Sequence, residues 1–286
     1  MPKRLLAGLA IAACTTGACQ GPVARQGLAA QDPHSATDRQ TAQSHAARSE
    51  LAPTGTLRVG INYGNVILAS RDPASGALRG VHVDLARELG RRVGVPVELV
   101  GYEAAAPMVE ALKAGTLDAA LLSAEPARAT DITFTPAYLE TEATYLVPAG
   151  SPIRTVADVD REGIRIAVAD KSAYDFFLQR TLQRAELVRA SSTHAAYALF
   201  TSGKLDALVG LRPRLVMDAA MLPGSRVLDD GFMAIEQTIA SPKGRDAAAG
   251  YLREFIEEAK ASGLVADTIE KHGVRGVSVA PRAPVQ

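Results

Sequence analysis

VEALKAGTLDAALLSAEPARATDITFTPAY, running from Val109 to Tyr138, reads as a helix, a buried strand and a polar loop ending in an exposed arginine. Val109 and Leu112 fall on one face at helical spacing. Gly115 supplies the left-handed position that stops a helix, and Leu117 to Leu122 is a short apolar run between polar residues. In open α/β sheets ligands collect in the crevice outside the carboxyl ends of the strands. That rule puts Ser123 and the loop to Thr133, Arg128 included, at a binding edge. The pattern returns 88 positions later in YALFTSGKLDALVG, Tyr197 to Gly210, where Gly203, Leu205, Asp206 and Ala207 match Gly115, Leu117, Asp118 and Ala119. GTLRVG at Gly55 and GIRIAV at Gly163 each read as a first strand. Two similar α/β lobes with a cleft between them are therefore predicted.

The chain has 286 residues, 47% hydrophobic and 22% charged, enough for one large or two smaller globular units. Its 31 basic and 31 acidic side chains balance. Arg87, Arg91 and Arg92 share a helix with Glu88, a solvated cluster and not the basic stripe of a nucleic-acid binder. With no tryptophan and 5% aromatics, stacking platforms for sugars or single strands are excluded as well. Residues 1–19 carry Lys3 and Arg4 and then an apolar run from Leu5 to Ala13, too short to span a bilayer, which is an export signal. TTGAC at Thr15 to Cys19 resembles a bacterial lipoprotein processing site with Cys19 as the lipid-bearing residue. Cys14 in IAAC is the rival, and a plain secretory signal with incidental cysteines is the third reading. Both cysteines lie here, so no disulfide can staple the mature body.

Gln20 to Pro53 is poor in large apolar residues and is expected to be a disordered tether. His34 and His45 lie in it. His82, His194 and His272 have no cysteine or clustered carboxylate at ligand spacing, so neither a metal nor a cofactor is expected. Order is expected from Thr54. A strand carrying Leu57, Val59 and Ile61 delivers Asn62, Tyr63, Gly64 and Asn65 to a loop, making them pocket candidates. Helices are predicted over Val81–Val93, Pro107–Ala114, Ser172–Gln183, Thr193–Ser202, Pro213–Ala220 and Arg245–Ala261. Strands fall between them, and Gly273 is followed by a loose tail.

GTLRVGINYGN at Gly55, GVHVDLARELGRRVGVPVELV at Gly80, ALKAGTLDAALLS at Ala111, PARATDITFTPAY at Pro126 and GSPIRTVADVDREGIRIAVADKSA at Gly150 together resemble the bacterial extracellular solute-binding proteins of family three. These are the amino-acid-type periplasmic receptors of ABC importers, and the likeness covers Gly55 to Gly273. It implies a type II, Venus-flytrap α/β fold in which each lobe is a mixed sheet flanked by helices. Lobe one would be residues 54–149 and 239–273, and lobe two residues 150–231. Two hinge strands, Thr144 to Ala149 and Phe232 to Ala240, would join them. It also implies a monomer outside the cytoplasm, a small-molecule ligand in the cleft and an importer's membrane subunits as partners.

In such proteins an arginine at the place of Arg128 holds the ligand's carboxylate, consistent with the two charge-assisted bonds a guanidinium fork offers. A hydroxyl at the place of Ser172 opens a lobe-two helix, where backbone amides favour an anion; the same serine also reads as a plain N-cap. This chain departs from the pattern in three places. The loop from Asp118 to Arg128 is two residues short, Lys171 replaces a glycine, and Leu211, followed by Arg212, stands where an acidic residue ordinarily meets an α-ammonium. The implied solute is a small organic anion, with Lys171 and Arg212 offering further positive charge; the alternative is an amino acid whose ammonium is met from a different wall by Asp170, Glu140, Glu142 or Glu236. Ser123, Tyr174 and Glu140 complete the candidate ligand residues. A second implied reading is a periplasmic enzyme resembling cyclohexadienyl dehydratases, with Glu140, Glu142 or Glu236 as a buried proton donor.

Overall fold

The structure, a computed structural model, describes residues 44–284. The expected export signal, the candidate lipidation site Cys19 with its rival Cys14, and the first part of the expected tether lie outside the described residues. From residue 44 the chain runs through helix α1 (44–51), strands β1 (Leu57–Asn62), β2 (Ser70–Arg71) and β3 (Leu78–Arg79), helix α2 (Val81–Val93), β4 (Val97–Tyr102), α3 (Ala105–Lys113), β5 (Ala119–Ser123), β6 (Ile132–Phe134) and β7 (Leu139–Val147). It continues through β8 (Arg165–Ala169), α4 (Ala173–Thr181), β9 (Glu186–Ala190), α5 (Thr193–Gly203), β10 (Ala207–Leu211), α6 (Arg212–Ala220), β11 (Arg226–Val227), β12 (Met233–Pro242), α7 (Asp246–Ala261), α8 (Leu264–Lys271) and β13 (Val277–Val279). Among the described residues no helix is long and apolar enough to cross a membrane.

The main sheet has the order β4-β1-β5-β12-β7-β10-β8-β9. Two parallel halves, β4-β1-β5 and β10-β8-β9, flank an antiparallel centre made by β12 and β7. Each central strand serves both halves: β12 pairs with β5 through Gln237–Ala240 and with β7 through Met233–Gln237, while β7 pairs with β10 through Ala143–Leu146. The first crossing therefore begins at Leu139, five residues ahead of its expected start, because β7 is one continuous strand. Each half has its own core. The first packs β1, β5, α2, α7 and α8 around Leu57, Ile61, Leu85, Leu89, Leu252 and Ile256, with α3 on the opposite face. The second is centred on Tyr145, Ile166, Val168, Leu178 and Val209, with α5 across the sheet from it.

The two GxLDA stretches do the same work in both halves. Asp118 accepts a bond from the Arg58 backbone N–H at 3.1 Å, and its own N–H donates to the Arg58 carbonyl. Asp206 does the same with Arg165, at 2.8 Å. Each aspartate thus ties the edge of its strand to the first residues of the neighbouring strand, which explains why the spacing repeats. The left-handed stop differs between the copies. In the first it is Gly115 at φ 69°, but in the second it is Lys204 at φ 49°, one residue beyond Gly203. Gly90 permits the close contact of α2 on β4, since a Cβ there would sit 2.0 Å from Val97 Cγ2.

Two segments expected to be loose are structured. Residues 44–51 are helical, with Ala47 and Leu51 buried at i, i+4 spacing and Leu51 in the first core. Glu50 caps α7 by accepting the Ala248 N–H at 2.8 Å. A single large apolar residue was enough to dock the end of the tether, because the core already offered it a site. The tail likewise returns to the sheet as β13, which pairs with β7 at Leu139–Thr141 and extends to the bond from the Ala280 N–H to the Tyr138 carbonyl.

Candidate functional site

The carboxyl ends of the parallel strands in both halves open onto one cleft of about 750 Å³, its mouth included. The first half contributes Asn62 at the end of β1, Gly64 and Asn65 just after it, Ala104 and Ala105 after β4, Leu121 to Ser123 at the end of β5, and His82 from the first turn of α2. The second half contributes Ala169 to Tyr174 without Lys171, Thr193, Leu211 and Arg214, and β12 adds Ile235 and Gln237 from the hinge. Gly64 lies so close to the end of β4 that a Cβ would fall 1.9 Å from the Glu103 carbonyl oxygen, and the Asn62 side chain fixes that turn by accepting the Gly64 N–H at 3.0 Å. Of the residues singled out in the sequence, Asn62, Asn65, Ser123, Ser172 and Tyr174 meet in this cleft.

Arg128 is placed differently from the expected exposed side chain. It ends a short 3₁₀ turn, Pro126–Arg128, and is 4% exposed. Its Nη1 donates to the Ser123 carbonyl at 3.1 Å, and its Nη2 reaches across to the second half and donates to the Lys171 carbonyl at 2.6 Å. The guanidinium stacks over Phe176 at 5.6 Å. Burial draws its pKa down to about 10, opposed by the charge of Glu125. Arg128 is therefore a buried cation bonded to backbone carbonyls, next to the cleft residues Ser123 and Ser172 but behind the cleft wall.

Four other candidates stand away from the cleft lining. Lys171 adopts φ 54°, the conformation a glycine would take without strain, and uses its backbone to meet Asp175 and Arg128 while its side chain faces solvent. Arg212 is drawn into the hinge by the Glu142 carboxylate and the carbonyls of Leu228 and Asp229. Glu140 sits in β7 between Glu236 of β12 and Ser278 of β13. Tyr63 faces a separate depression, with Arg71 5.7 Å over its ring. The extra positive charge expected from Lys171 and Arg212 is thus absent from the cleft wall.

The cleft also holds charged and polar groups outside the candidate ligand residues, of which only Asp170 was anticipated, as an alternative partner for an ammonium. Asp170 lines it, half-exposed, with Arg189 at 3.9 Å, while that arginine makes its shorter contact with Asp175 at 3.0 Å. Arg214 lines it from α6 with its Nε bonded to Asp218 at 2.8 Å. An i, i+4 Arg–Asp pair was the sequence signal that could have revealed it. His82 lines it too. This ring is 1% exposed, both nitrogens lack a partner, and burial lowers its pKa to about 3, so it stands neutral. Burial likewise raises the Tyr174 hydroxyl, which meets Thr193 and Ser172. Ser172 is the N-cap of α4, accepting the Asp175 N–H at 3.1 Å. Among the described residues no group of His, Cys, Asp and Glu is arranged to hold a metal ion.

Comparison with known proteins agrees with this architecture. The glutamine-binding protein of Geobacillus stearothermophilus is 23% identical over 201 residues, 68% of this chain and 75% of that protein. The solute receptor for L-cysteine of Neisseria gonorrhoeae superposes with a TM-score of 0.71 at 22% identity, covering 81% of this chain and 95% of that one. The ancestral amino acid-binding protein AncCDT-1, a precursor of cyclohexadienyl dehydratase, gives 0.68 at 23% identity, covering 79% and 98%. At these identities the superpositions speak for the fold, which is that of the type II periplasmic binding proteins. The family model described as bacterial extracellular solute-binding proteins, family 3, matches residues 57–275. With so much of the chain matched, this protein belongs to that family.

Proposed function

We propose that this protein is an extracytoplasmic receptor that captures a small carboxylate-bearing solute between two lobes, residues 54–149 with 239–273 and residues 150–231, and delivers it to an ABC importer. The observation that carries this is Arg128. A buried guanidinium that spans from one half to the other and is met by carbonyls has unused capacity for a charge-assisted bond. A carboxylate at its edge, near the Ser172 N-cap, would replace the Lys171 carbonyl and hold the halves together. Asp170 on the wall changes the expected chemistry of the solute, since it offers an ammonium the partner that Leu211 cannot. An amino acid fits this wall, and the relatives named for glutamine and L-cysteine support that class.

A thermal-shift panel of amino acids and mono- and dicarboxylates should yield a ligand, and calorimetry on Arg128→Ala then tests the assignment. Stripping a buried carboxylate of its charged partner costs roughly 2–5 kcal/mol, at least a tenfold loss of affinity. An unchanged dissociation constant would reject Arg128 as the carboxylate's partner. The carboxylates that a dehydratase would need, Glu140, Glu142 and Glu236, lie on the hinge strands outside the cleft lining, which favours the receptor. Prephenate or arogenate incubated with the protein is expected to give no aromatic product.

A further inference from the structure

The second-half wall of the cleft is made where three helices begin. Ser172 is the N-cap of α4, Thr193 is the first residue of α5, and Leu211 is the N-cap of α6. All three residues line the cleft. A helix N-terminus carries a partial positive charge and more N–H groups than its cap satisfies, and here three converge on one surface, although Pro213 removes one donor from α6 and Ser172 and Ser192 each take one in α4 and α5. Within that surface lies Arg214. Its Nε is committed to Asp218, itself 6% exposed, which leaves the terminal nitrogens Nη1 and Nη2 for an occupant of the cleft. The hydroxyls of Ser172, Tyr174 and Thr193 gather beside it. Facing them from the first half is His82, buried, with two nitrogens that meet nothing in the protein. A polar side chain left so in the lining gains a partner when a polar solute or water fills the cleft.

We propose that Arg214 is a second anion-binding residue of this cleft and that the captured solute is an acidic amino acid, its side-chain carboxylate seated on the α4–α5–α6 wall. The inference rests on the receptor reading above and sharpens it. Arg128 holds one carboxylate from behind the wall, Asp170 meets the ammonium, and Arg214 takes the second acid through its terminal nitrogens. Asp218 acts as a positioning residue. An i, i+4 bond to Nε restrains the guanidinium of a residue that lines the cleft and leaves its terminal nitrogens unbonded.

The test uses acid and amide pairs of equal shape. Glutamate against glutamine and aspartate against asparagine are titrated into the full protein by calorimetry, with glutarate and succinate as a further arm. The acid of a pair is expected to bind at least tenfold more tightly than its amide, and Arg214→Gln should erase that preference. Because Arg214→Gln leaves Asp218 buried without its cation, the double variant Arg214→Gln, Asp218→Asn is measured beside it; it removes both charges and should show the same lost preference in a folded protein. Amides that bind as tightly as their acids, or a preference that survives both variants, would overturn the proposal. A dicarboxylate that binds in place of the amino acids would overturn the assignment of the ammonium. If no carboxylate-bearing solute binds the unaltered protein, the receptor reading itself fails. If a neutral amino acid binds tightly, only the second anion seat fails.

Discussion

His82 carries a liability that its position in the cleft explains. In the unfolded chain its pKa is about 6.5, and in the folded protein burial draws it to about 3. Between those values the unfolded state binds the extra proton, so folding stability falls as the pH drops through the window, by up to about 1.4 kcal/mol per unit. Above pH ~6.5 the effect vanishes. His82→Leu should therefore flatten the melting temperature between pH 6.5 and 4.5, a range above most carboxylate titrations. A slope equal to that of the unaltered protein would show that other groups set the acid limb.

At the scale of elements, helix α1 shows how little apolar surface docks a segment once a core is present. Leu51 has no exposure and belongs to the first core, and Glu50 supplies both a cap for α7 and a carbonyl for Arg245 at 2.8 Å. Leu51→Ala should destabilise the protein by about 2–5 kcal/mol, the range for deleting a buried leucine side chain. Denaturant unfolding reads this directly. A loss under about 0.5 kcal/mol would mean that α1 rests on the surface. The GxLDA aspartates are the contrasting case, where local spacing was sufficient. Asp118 and Asp206 each bond the first strand of their half, and Asp118, pushed up by burial, is held low by Arg58 and Arg245.

At the scale of the whole molecule, three side-chain hydrogen bonds among the described residues cross from one half to the other, beside the hinge strands and the stacking of Arg128 on Phe176. Arg128 bonds the Lys171 carbonyl, Arg180 meets Glu125 at 2.7 Å, and Ser192 reaches Glu103 at 3.4 Å. Glu125 is the least solvated of these groups, with a side chain of no exposure and an Oε2 that has no partner. Arg180 is half-exposed, so its pair with Glu125 is screened on one side. Removing it as Arg180→Ala leaves a buried carboxylate unmatched, a cost of about 1–3 kcal/mol that separation of the halves would relieve. The ligand-free variant should show a larger radius of gyration in small-angle X-ray scattering, and a saturating ligand should restore the smaller one. An unchanged radius would show that the hinge strands alone set the spacing.

The sequence by itself determined the elements whose signals are local. Leu57, Val59 and Ile61 mark a strand, Leu85 and Leu89 a helix face, and the repeated GxLDA spacing two lobes, because periodicity and turn chemistry act over a few residues. Asn62, Ser123 and Ser172 were legible for the same reason, since each follows directly from the end of a strand or the start of a helix. Tertiary structure decided which neighbours of such residues face the cleft. Arg214 lines it while Arg212, two residues away, turns to Glu142 in the hinge. Asp170 lines it while Lys171, beside it, is held at φ 54° with its side chain in solvent. Neighbours along a loop or a helix's first turn point in different directions. Which direction is inward depends on where β7 and β12 place the second half, a long-range relation that no local pattern encodes.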